Sequence, residues 1–299
     1  MIRSRIGLIG VGLLGSALAE RLIGRGFRVL GADVVSARRE ALARLGGEAI
    51  KDPAEVFHAC DRVVLCLPTS AIVAAVIDGS EAAIRPGSTI LDTTTGSPGE
   101  VEAMGRRLAA RGVSYLDATV SGSSAQTRQG EAVLMVGGDA GAFHACRDLF
   151  DALGGASYYV GPVGTGSRMK LATNLVLGLN RAALAEGLAF ARSLGLDPAQ
   201  TLEIIRAGAA SSRMADTKGP RMVAGNFAPE ARLSQHLKDV RLILDEAGRV
   251  GANTPLSQLH RALLEMAVAE GYGEDDNSAI IRVYEILAMR AGAEPGGRS

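Results

Sequence analysis

Short apolar runs alternate with longer amphipathic segments over the first 160 residues. Runs such as Arg5–Ile9, Arg28–Ala32 and Arg62–Leu67 have the length and composition of buried strands, and residues 12–25 between them carry apolar positions at helical spacing. Further strands are predicted at Ser88–Asp92, Ser114–Ala118, Ala132–Val136 and Ser157–Val160. Strands that alternate with helices predict an α/β domain built on a doubly wound, mostly parallel sheet.

The pattern changes near residue 164, where the strand signal stops. Helices are predicted at Gly164–Gly195, Pro198–Gly208, Leu233–Gly251, Pro255–Glu270 and Asn277–Arg290. The sequence therefore predicts an α/β domain over residues 1–163, an all-α domain over 164–291 and a frayed tail over 292–299. Two such domains in one chain also predict a cleft in which a small molecule could bind.

The opening stretch, "RSRIGLIGVGLLGSALAE", has two interpretations. Two arginines, an apolar run and Ala17-Leu18-Ala19 imitate a secretory signal with its cleavage site. The same stretch places Gly10, Gly12 and Gly15 between a predicted strand and a predicted helix, with the spacing of a dinucleotide-binding turn. There the glycines allow a sharp bend, a close approach to a pyrophosphate and tight helix packing, and the positive helix end faces the phosphates.

The residue that ends the second predicted strand separates these interpretations. Asp33 follows Gly10 at the distance typical of the acidic residue that binds the adenosine ribose, and a secretion signal does not predict it. The sequence thus favours a Rossmann domain, with NAD preferred over NADP. Arg38 and Arg39 keep NADP possible as the coenzyme, because a nearby arginine can accommodate a 2′-phosphate. The alternative interpretation of these two arginines is that they belong to a solvated helix face.

Composition narrows the class of protein. The 299 residues are 47% hydrophobic, and 32 basic residues balance 32 acidic ones with only 4% aromatics, which argues against nucleic-acid binding. Three cysteines without a pair motif predict reduced thiols and a cytoplasmic protein. The four histidines lack metal-ligand spacing, so no metal is expected. No apolar run is long enough to predict a membrane span.

Two groups of residues are candidates for chemistry. In a doubly wound sheet ligands bind beyond the carboxyl ends of the strands, where Leu67-Pro68-Thr69 and Thr93–Pro98 lie; helix capping is the alternative. Lys170 and Asn174 are four residues apart and share a helix face. Lys170 could extend along the surface to reach water, or it could donate the proton that a reduced carbonyl needs.

Four stretches in order along nearly the whole chain carry a family resemblance. They are "GLIGVGLLGSALAERL", "LDATVSGSSAQTRQGEAVLMVGG", "GPVGTGSRMKLATN" and "HLKDVRLILDEA". In these stretches the sequence resembles the β-hydroxyacid dehydrogenase family, which includes 3-hydroxyisobutyrate dehydrogenase and tartronate semialdehyde reductase. The resemblance implies an NAD(H)-dependent enzyme that interconverts a small carboxylate-bearing semialdehyde and its β-hydroxyacid.

The resemblance also assigns roles. It implies that Lys170 is the general acid and base, that Asn174 orients the reacting oxygen, and that Lys238 lies near coenzyme and substrate. A loop that binds the substrate carboxylate is implied at Ser121, Gly122 and Ser123. Further coenzyme contacts are implied at Leu13, Leu14, Leu67 and Thr95. Apolar helices in the second half, and the family, imply a homodimer or homotetramer.

Some positions depart from the family pattern. Thr119 replaces a common proline, Ser123 a common glycine and Thr173 a second asparagine. The two extra hydroxyls in the substrate loop favour substrates with polar groups. Two other functions stay open: a non-catalytic dehydrogenase-like module for assembly or sensing, and an imine reductase, against which the presence of Lys170 argues.

Overall fold

An eight-stranded sheet forms the first half of the chain in this computed structural model, which describes residues 4–293. The strand order is β3-β2-β1-β4-β5-β6-β7-β8, and every neighbouring pair is parallel except β6 and β7. The strands are β1 (Arg5–Ile9), β2 (Arg28–Ala32), β3 (Glu48–Ile50), β4 (Arg62–Leu65), β5 (Thr89–Asp92), β6 (Ser114–Ser121), β7 (Val133–Gly137) and β8 (Ala156–Gly161). The predicted doubly wound, mostly parallel sheet is confirmed.

Helices cover both faces of this sheet. They are α1 (Leu13–Gly24), α2 (Ser36–Arg44), α3 (Pro53–Ala59), α4 (Ser70–Gly79), α5 (Pro98–Ala109), α6 (Ser124–Gln129), α7 (Ala140–Ala145) and α8 (Arg147–Leu153). Successive side chains of β1 point to opposite faces: Leu8 joins a core with Leu18 of α1, and Ile9 joins a core with Val56 of α3. The two cores fix both helix layers against the strands.

Most strand predictions agree with the structure, and the differences have local causes. β1 and β2 have the predicted bounds, whereas β4 ends at Leu65, two residues before its predicted end at Leu67. β6 extends to Ser121, since its second half pairs antiparallel with β7. The edge strand β3 was not predicted, because three residues are too few to show a hydrophobic period.

The second compact unit of the chain begins at Leu171, and the first ends at Lys170. One long helix, α9 (Thr165–Ser193), contains both of these residues. The remaining helices are α10 (Pro198–Ala207), α11 (Arg213–Thr217), α12 (Gly219–Ala224), α13 (Leu233–Val250), α14 (Pro255–Ala269) and α15 (Ile281–Ala293). The predicted domain boundary between residues 163 and 164 stays a prediction.

The helical unit differs from its prediction in three places. The short helices α11 and α12 were not predicted, and the segment Asn277–Arg290 divides into a 3₁₀ turn at Asn277–Ile280 followed by α15. The predicted tail begins at Gly292, which belongs to α15, while residues 294–299 of that tail lie outside the described residues. The core of the helical unit contains Leu188, Leu202, Leu237 and Leu264.

Burial affects the three cysteines, which are all free. Cys60 and Cys146 are buried in the first unit, and burial raises the pKa of both thiols to about 11.

Each helix within residues 4–293 is too short or too polar to cross a membrane. Nowhere in that range do three His, Cys, Asp or Glu side chains lie close enough together to hold a metal ion.

Candidate active site

The glycine turn between β1 and α1 is shaped by close backbone contacts. Gly10 has a φ of +95°, and a Cβ there would lie 2.2 Å from the carbonyl oxygen of Cys66. A Cβ at Gly15 would lie 2.0 Å from the carbonyl oxygen of Gly10. A Cβ at Gly12 would have no heavy atom within 4 Å. The first and third glycines are thus required by packing, and the second leaves open space beside the turn.

That open space lies at the start of α1. Gly12 is the N-cap residue and has no side chain to bond the first N–H groups of the helix. Leu13 is half-exposed there, whereas Leu14 packs against the core on one face of the sheet. Uncapped N–H groups at a positive helix end form an anion site. The turn therefore fits the pyrophosphate of a dinucleotide coenzyme.

Asp33 lies directly after β2 and is only 8% exposed. Its Oδ2 accepts a hydrogen bond from the Val11 N–H at 2.8 Å, and its Oδ1 accepts one from the Val35 N–H at 2.9 Å. Arg38 lies 3.4 Å from the carboxylate, and Arg39 donates to the Asp33 carbonyl oxygen at 2.6 Å. Asp33 thus braces the glycine turn, and both arginines contact it instead of forming only a solvated helix face.

The candidate residues at the ends of β4 and β5 form one bonded group. The N–H of Leu67 donates to Oγ1 of Thr94 at 3.1 Å, and the hydroxyl of Thr93 donates to the Leu65 carbonyl oxygen at 2.7 Å. Thr69 caps α4 through the N–H of Ile72, as the capping alternative expects. Pro68 is exposed, and Thr95 is half-buried at the same edge of the sheet.

A buried carboxylate that the sequence analysis missed supports this group. Oδ1 of Asp92 accepts the N–H of Thr94 at 2.9 Å, and Oδ2 accepts the hydroxyl of Tyr115 at 2.6 Å. Burial raises the pKa of Asp92 above its ordinary value. The sequence signal that could have identified Asp92 is its position as an acidic residue at the end of an apolar strand.

The predicted substrate loop lies between the end of β6 and the start of α6. Gly122 has a φ of +151°, and Ser123 is the N-cap of α6 in a capping box: Ser123 N–H donates to Oε1 of Gln126, and Gln126 N–H donates to the Ser123 hydroxyl. Ser121 is the last residue of the strand. The hydroxyl of Thr119 is fully buried and donates to the carbonyl oxygen of Gly166. Of the two extra hydroxyls, that of Thr119 therefore adds nothing to the polarity of this loop.

Lys170 lies on α9, one helical turn before Asn174, and is only 8% exposed. The start of this helix is held by Asp117, whose carboxylate accepts the N–H groups of Gly164 and Ser167. Asp117 lies in one of the stretches that carry the family resemblance, but the sequence alone indicated no role for this residue. A lysine that extends along the surface keeps its charged end in water, so the low exposure of Lys170 argues against that alternative.

In the helical unit, Asp239 joins two of the predicted substrate-binding residues. Its Oδ2 accepts a hydrogen bond from the Asn174 side-chain amide at 3.0 Å, and its Oδ1 lies 3.0 Å from Nζ of Lys238. Asp239 is 8% exposed. The sequence analysis gave this residue no role at the site, because its contact with Asn174 depends on how α13 packs against α9.

A second buried polar group lies further along α9. A Cβ at Gly178 would lie 2.7 Å from Nε2 of His236 and 2.8 Å from Cε1 of His260, so both imidazoles pack directly on the helix backbone. Arg181 is fully buried, and its Nε and Nη2 have no hydrogen-bond partner among the described residues. Burial lowers the pKa of Arg181 to about 10. Nothing in the sequence pattern indicated a buried arginine.

Comparisons with known proteins agree with this arrangement. A family model described as the NAD binding domain of 6-phosphogluconate dehydrogenase matches residues 5–161, and one described as NAD-binding of NADP-dependent 3-hydroxyisobutyrate dehydrogenase matches residues 164–284. The chain is 33% identical over 293 residues to L-threonate dehydrogenase of Cupriavidus necator, covering 97% of this chain and 99% of that protein.

Two further comparisons point the same way. The 2-hydroxy-3-oxopropionate reductase of Escherichia coli is 31% identical over 287 residues, covering 95% of this chain and 98% of that protein. The crystal structure of 3-hydroxyisobutyrate dehydrogenase from Salmonella typhimurium has a TM-score of 0.87 at 27% identity, covering 94% of this chain and 100% of that one. The chain therefore belongs to the β-hydroxyacid dehydrogenase family, and it is an NAD(P)-dependent oxidoreductase of that family.

Proposed function

We propose that this protein interconverts a small, hydroxylated carboxylate semialdehyde and its β-hydroxyacid, with Lys170 as general acid and base and NAD(H) as the preferred coenzyme. The observation that carries the proposal is the burial of Lys170 one helical turn from Asn174. Burying an ammonium group costs desolvation free energy, so a buried lysine at this position favours a functional reason, and proton transfer to a carbonyl oxygen is one.

The proposed chemistry divides between coenzyme and protein. When bound, the reduced coenzyme supplies a hydride to the carbonyl carbon. Nζ of Lys170 donates a proton to the carbonyl oxygen as negative charge develops there, and in the oxidation direction it removes the proton from the hydroxyl. Asn174 orients the reacting oxygen, and Lys238 adds positive charge near it.

Recognition of the substrate carboxylate is proposed for the loop of Ser121, Gly122 and Ser123. Hydroxyl and backbone N–H groups are good partners for a carboxylate. The names of the relatives support a polar substrate, since L-threonate and 2-hydroxy-3-oxopropionate both carry a hydroxyl beside the carboxylate. The proposed substrate class is therefore the three-carbon and four-carbon hydroxyacids of this type: a primary β-hydroxyl gives a semialdehyde, and the secondary β-hydroxyl of L-threonate would give a ketone.

The proposed preference for NAD(H) rests on Asp33. A carboxylate at the end of β2 accepts hydrogen bonds from the ribose hydroxyls and repels a 2′-phosphate. Arg38, at 3.4 Å from that carboxylate, offsets part of its charge, so NADP(H) is proposed as a weaker coenzyme. The protein is also proposed to be cytoplasmic, because its free, buried thiols suit a reducing compartment.

We also propose that the protein is a homodimer or homotetramer. Val176, Ala183 and Phe190 on α9, with Leu194 directly after its last residue, are exposed at near-heptad spacing, and we call them the α9 stripe. Phe190 is 64% exposed and Val176 is 56% exposed. Apolar side chains at this spacing are typical of a helix that packs against another helix.

The test is turnover by the purified protein with NADH and NADPH against tartronate semialdehyde, methylmalonate semialdehyde, succinic semialdehyde and glyoxylate, with L-threonate in the oxidation direction. Lys170→Ala is expected to lower kcat by about 100-fold to 10,000-fold without changing the Kd for NADH. The control is Arg168→Ala, which removes an exposed cation from the same turn of α9.

Other outcomes would redirect the assignment. Turnover in Lys170→Ala equal to that of the unchanged protein would remove Lys170 from the chemistry. Tight NADH binding without turnover of any aldehyde or hydroxyacid would favour the non-catalytic module. Reduction of a cyclic imine in place of the aldehydes would favour an imine reductase.

A further inference from the structure

The first turn of α9 is held from the sheet by the side chain of Asp117. This residue lies in β6 and is 1% exposed. Its Oδ1 accepts the N–H of Gly164 at 3.1 Å, and its Oδ2 accepts the N–H of Ser167 at 2.8 Å. The first N–H groups of a helix have no partner within the helix. Asp117 therefore caps α9 from another element, with both oxygens engaged.

A second residue of β6 reinforces this contact. Thr119 lies two positions further, on the same face of the strand, and its hydroxyl donates to the carbonyl oxygens of Gly166 at 3.1 Å and Met135 at 3.3 Å. A Cβ at Gly166 would lie 2.2 Å from the carbonyl oxygen of Asp117. The helix start is thus pressed against β6 with no space for a side chain between them.

Lys170 lies at the next position on this face of α9. It follows Ser167 by three residues, and residues three apart are neighbours on a helix surface. Since the helix continues without a break from Thr165, the placement of its first turn fixes the placement of the Lys170 backbone.

We propose that Asp117 is a positioning residue for the reaction, which holds the first turn of α9 so that Nζ of Lys170 reaches the atom that gains or loses the proton. This inference rests on the proposed role of Lys170. Proton transfer needs hydrogen-bond distance, and a displacement of about 1 Å can cost about 100-fold in rate.

The energetics of Asp117 favour a functional reason for its presence. Burial raises the pKa of Asp117 to about 6, and the N–H bonds from Ser167 and Gly164 offset only part of that effect. Because the folded pKa exceeds the ordinary value of 3.8, the contribution of Asp117 to folding stability declines as pH rises from about 4 to about 6. At neutral pH the charged carboxylate therefore stabilises the fold less than the protonated form does, so the negative charge itself is not explained by stability.

Other charged or titratable groups surround this contact. They are Asp92 on β5, Tyr115 on β6, Glu102 on α5, and Arg168 and Lys170 on α9. Glu102 and Arg168 pair with each other, and Tyr115 donates to Asp92. On β7 the residue facing Asp117 is Gly137, which has no titratable group.

The test compares Asp117→Asn with the unchanged enzyme. The amide keeps the shape but turns one acceptor into a donor that faces an N–H group, as protonation of Asp117 also does. We expect kcat to fall about 10-fold to 100-fold, with the substrate KM and the Kd for NADH changed by less than about 2-fold. The unchanged enzyme should lose kcat as pH falls below about 6, and the variant should lack that limb.

The matched control is Asp139→Asn, which alters the N-cap of α7, a helix that carries no proposed catalytic residue. In a Lys170→Ala background, Asp117→Asn should lower kcat no further, because the group it positions is gone. A loss of the same size in both backgrounds, or an unchanged kcat and pH profile in Asp117→Asn, would overturn the proposal.

A second variant covers failure of Asp117→Asn to fold. Thr119→Val removes the hydroxyl that bonds Gly166 and keeps the side-chain shape. It should lower kcat several-fold, again without effect in the Lys170→Ala background; a loss independent of Lys170 would contradict the proposal. If Lys170→Ala itself keeps full turnover, the proposed function has failed. If Lys170→Ala is inactive and the Asp117 and Thr119 variants are fully active, only the positioning role has failed.

Discussion

The side-chain amide of Asn174 donates a hydrogen bond to Oδ2 of Asp239 at 3.0 Å, while Nζ of Lys238 lies 3.0 Å from Oδ1 of the same carboxylate. One buried carboxylate thus orients two side chains that are proposed to contact the substrate. Asn174 lies on α9, and Lys238 and Asp239 lie on α13. The two helices are therefore linked by a carboxylate that contacts both of the proposed substrate-binding residues.

Replacing Asp239 by asparagine should weaken substrate use. The amide removes the charge that pairs with Lys238 and leaves a single acceptor for Asn174. Hydrogen bonds to charged groups contribute about 1.5–3 kcal/mol, so kcat/KM should fall about 10-fold to 100-fold. Steady-state kinetics measure this loss. The control is Asp245→Asn on the exposed side of α13; equal kinetics in the two variants would refute the orienting role.

Coenzyme choice should respond to Asp33. Asp33→Asn removes the negative charge that repels a 2′-phosphate and keeps one acceptor for the N–H of Val11 or Val35. We expect kcat/KM with NADPH to rise about 10-fold and that with NADH to fall. Asp52→Asn, at the N-cap of α3, is the matched control. An unchanged ratio of the two coenzymes in Asp33→Asn would remove Asp33 as the determinant.

Arg181 should be replaceable with a gain in stability. Its guanidinium is buried, with Nε and Nη2 unbonded among the described residues, and burial together with Arg181 lowers the pKa of His260 to about 4. Desolvating a charge costs several kcal/mol, and hydrogen bonds that Nε and Nη2 of Arg181 do not make would be needed to offset it, so an apolar side chain of similar volume should be more favourable.

The measurement for Arg181→Met is urea unfolding, in which the midpoint should rise with an unchanged slope. Arg241→Met, which removes an exposed pair with Glu265, should change the free energy of unfolding by less than about 1 kcal/mol. A lower midpoint in Arg181→Met would mean that Asp276 or Asp239 depends on the positive charge.

Self-association should depend on the α9 stripe. Phe190→Asp places a charge on this exposed apolar face, which should convert the assembly to a smaller species at micromolar concentration. Sedimentation measures the change. Ile204→Asp alters an equally exposed residue of α10 and serves as the comparison. A monomer in the unchanged protein, or an intact assembly in Phe190→Asp, would exclude the stripe as an interface.

The sequence by itself determined the strands and the glycine turn, whose signals come from residues close together along the chain. Apolar runs predicted seven of the eight strands, and the glycine spacing with Asp33 predicted the coenzyme turn, because both depend on residues close together along the chain. The roles proposed for Lys170, Asn174 and Lys238 come from the four family stretches. β3, at three residues, was too short to give a pattern.

Tertiary structure decided what links distant residues. The hydrogen bonds of Asp117 with Gly164 and Ser167 join residues 47 and 50 positions apart, and the hydrogen bond between Asp239 and Asn174 spans 65 positions. The antiparallel pairing of β7 and the burial of Arg181 likewise have no local signal. Periodicity shows which face of a helix or strand is apolar. Whether a polar side chain can be buried depends on a hydrogen-bonding partner, and packing brings that partner close only in the folded chain.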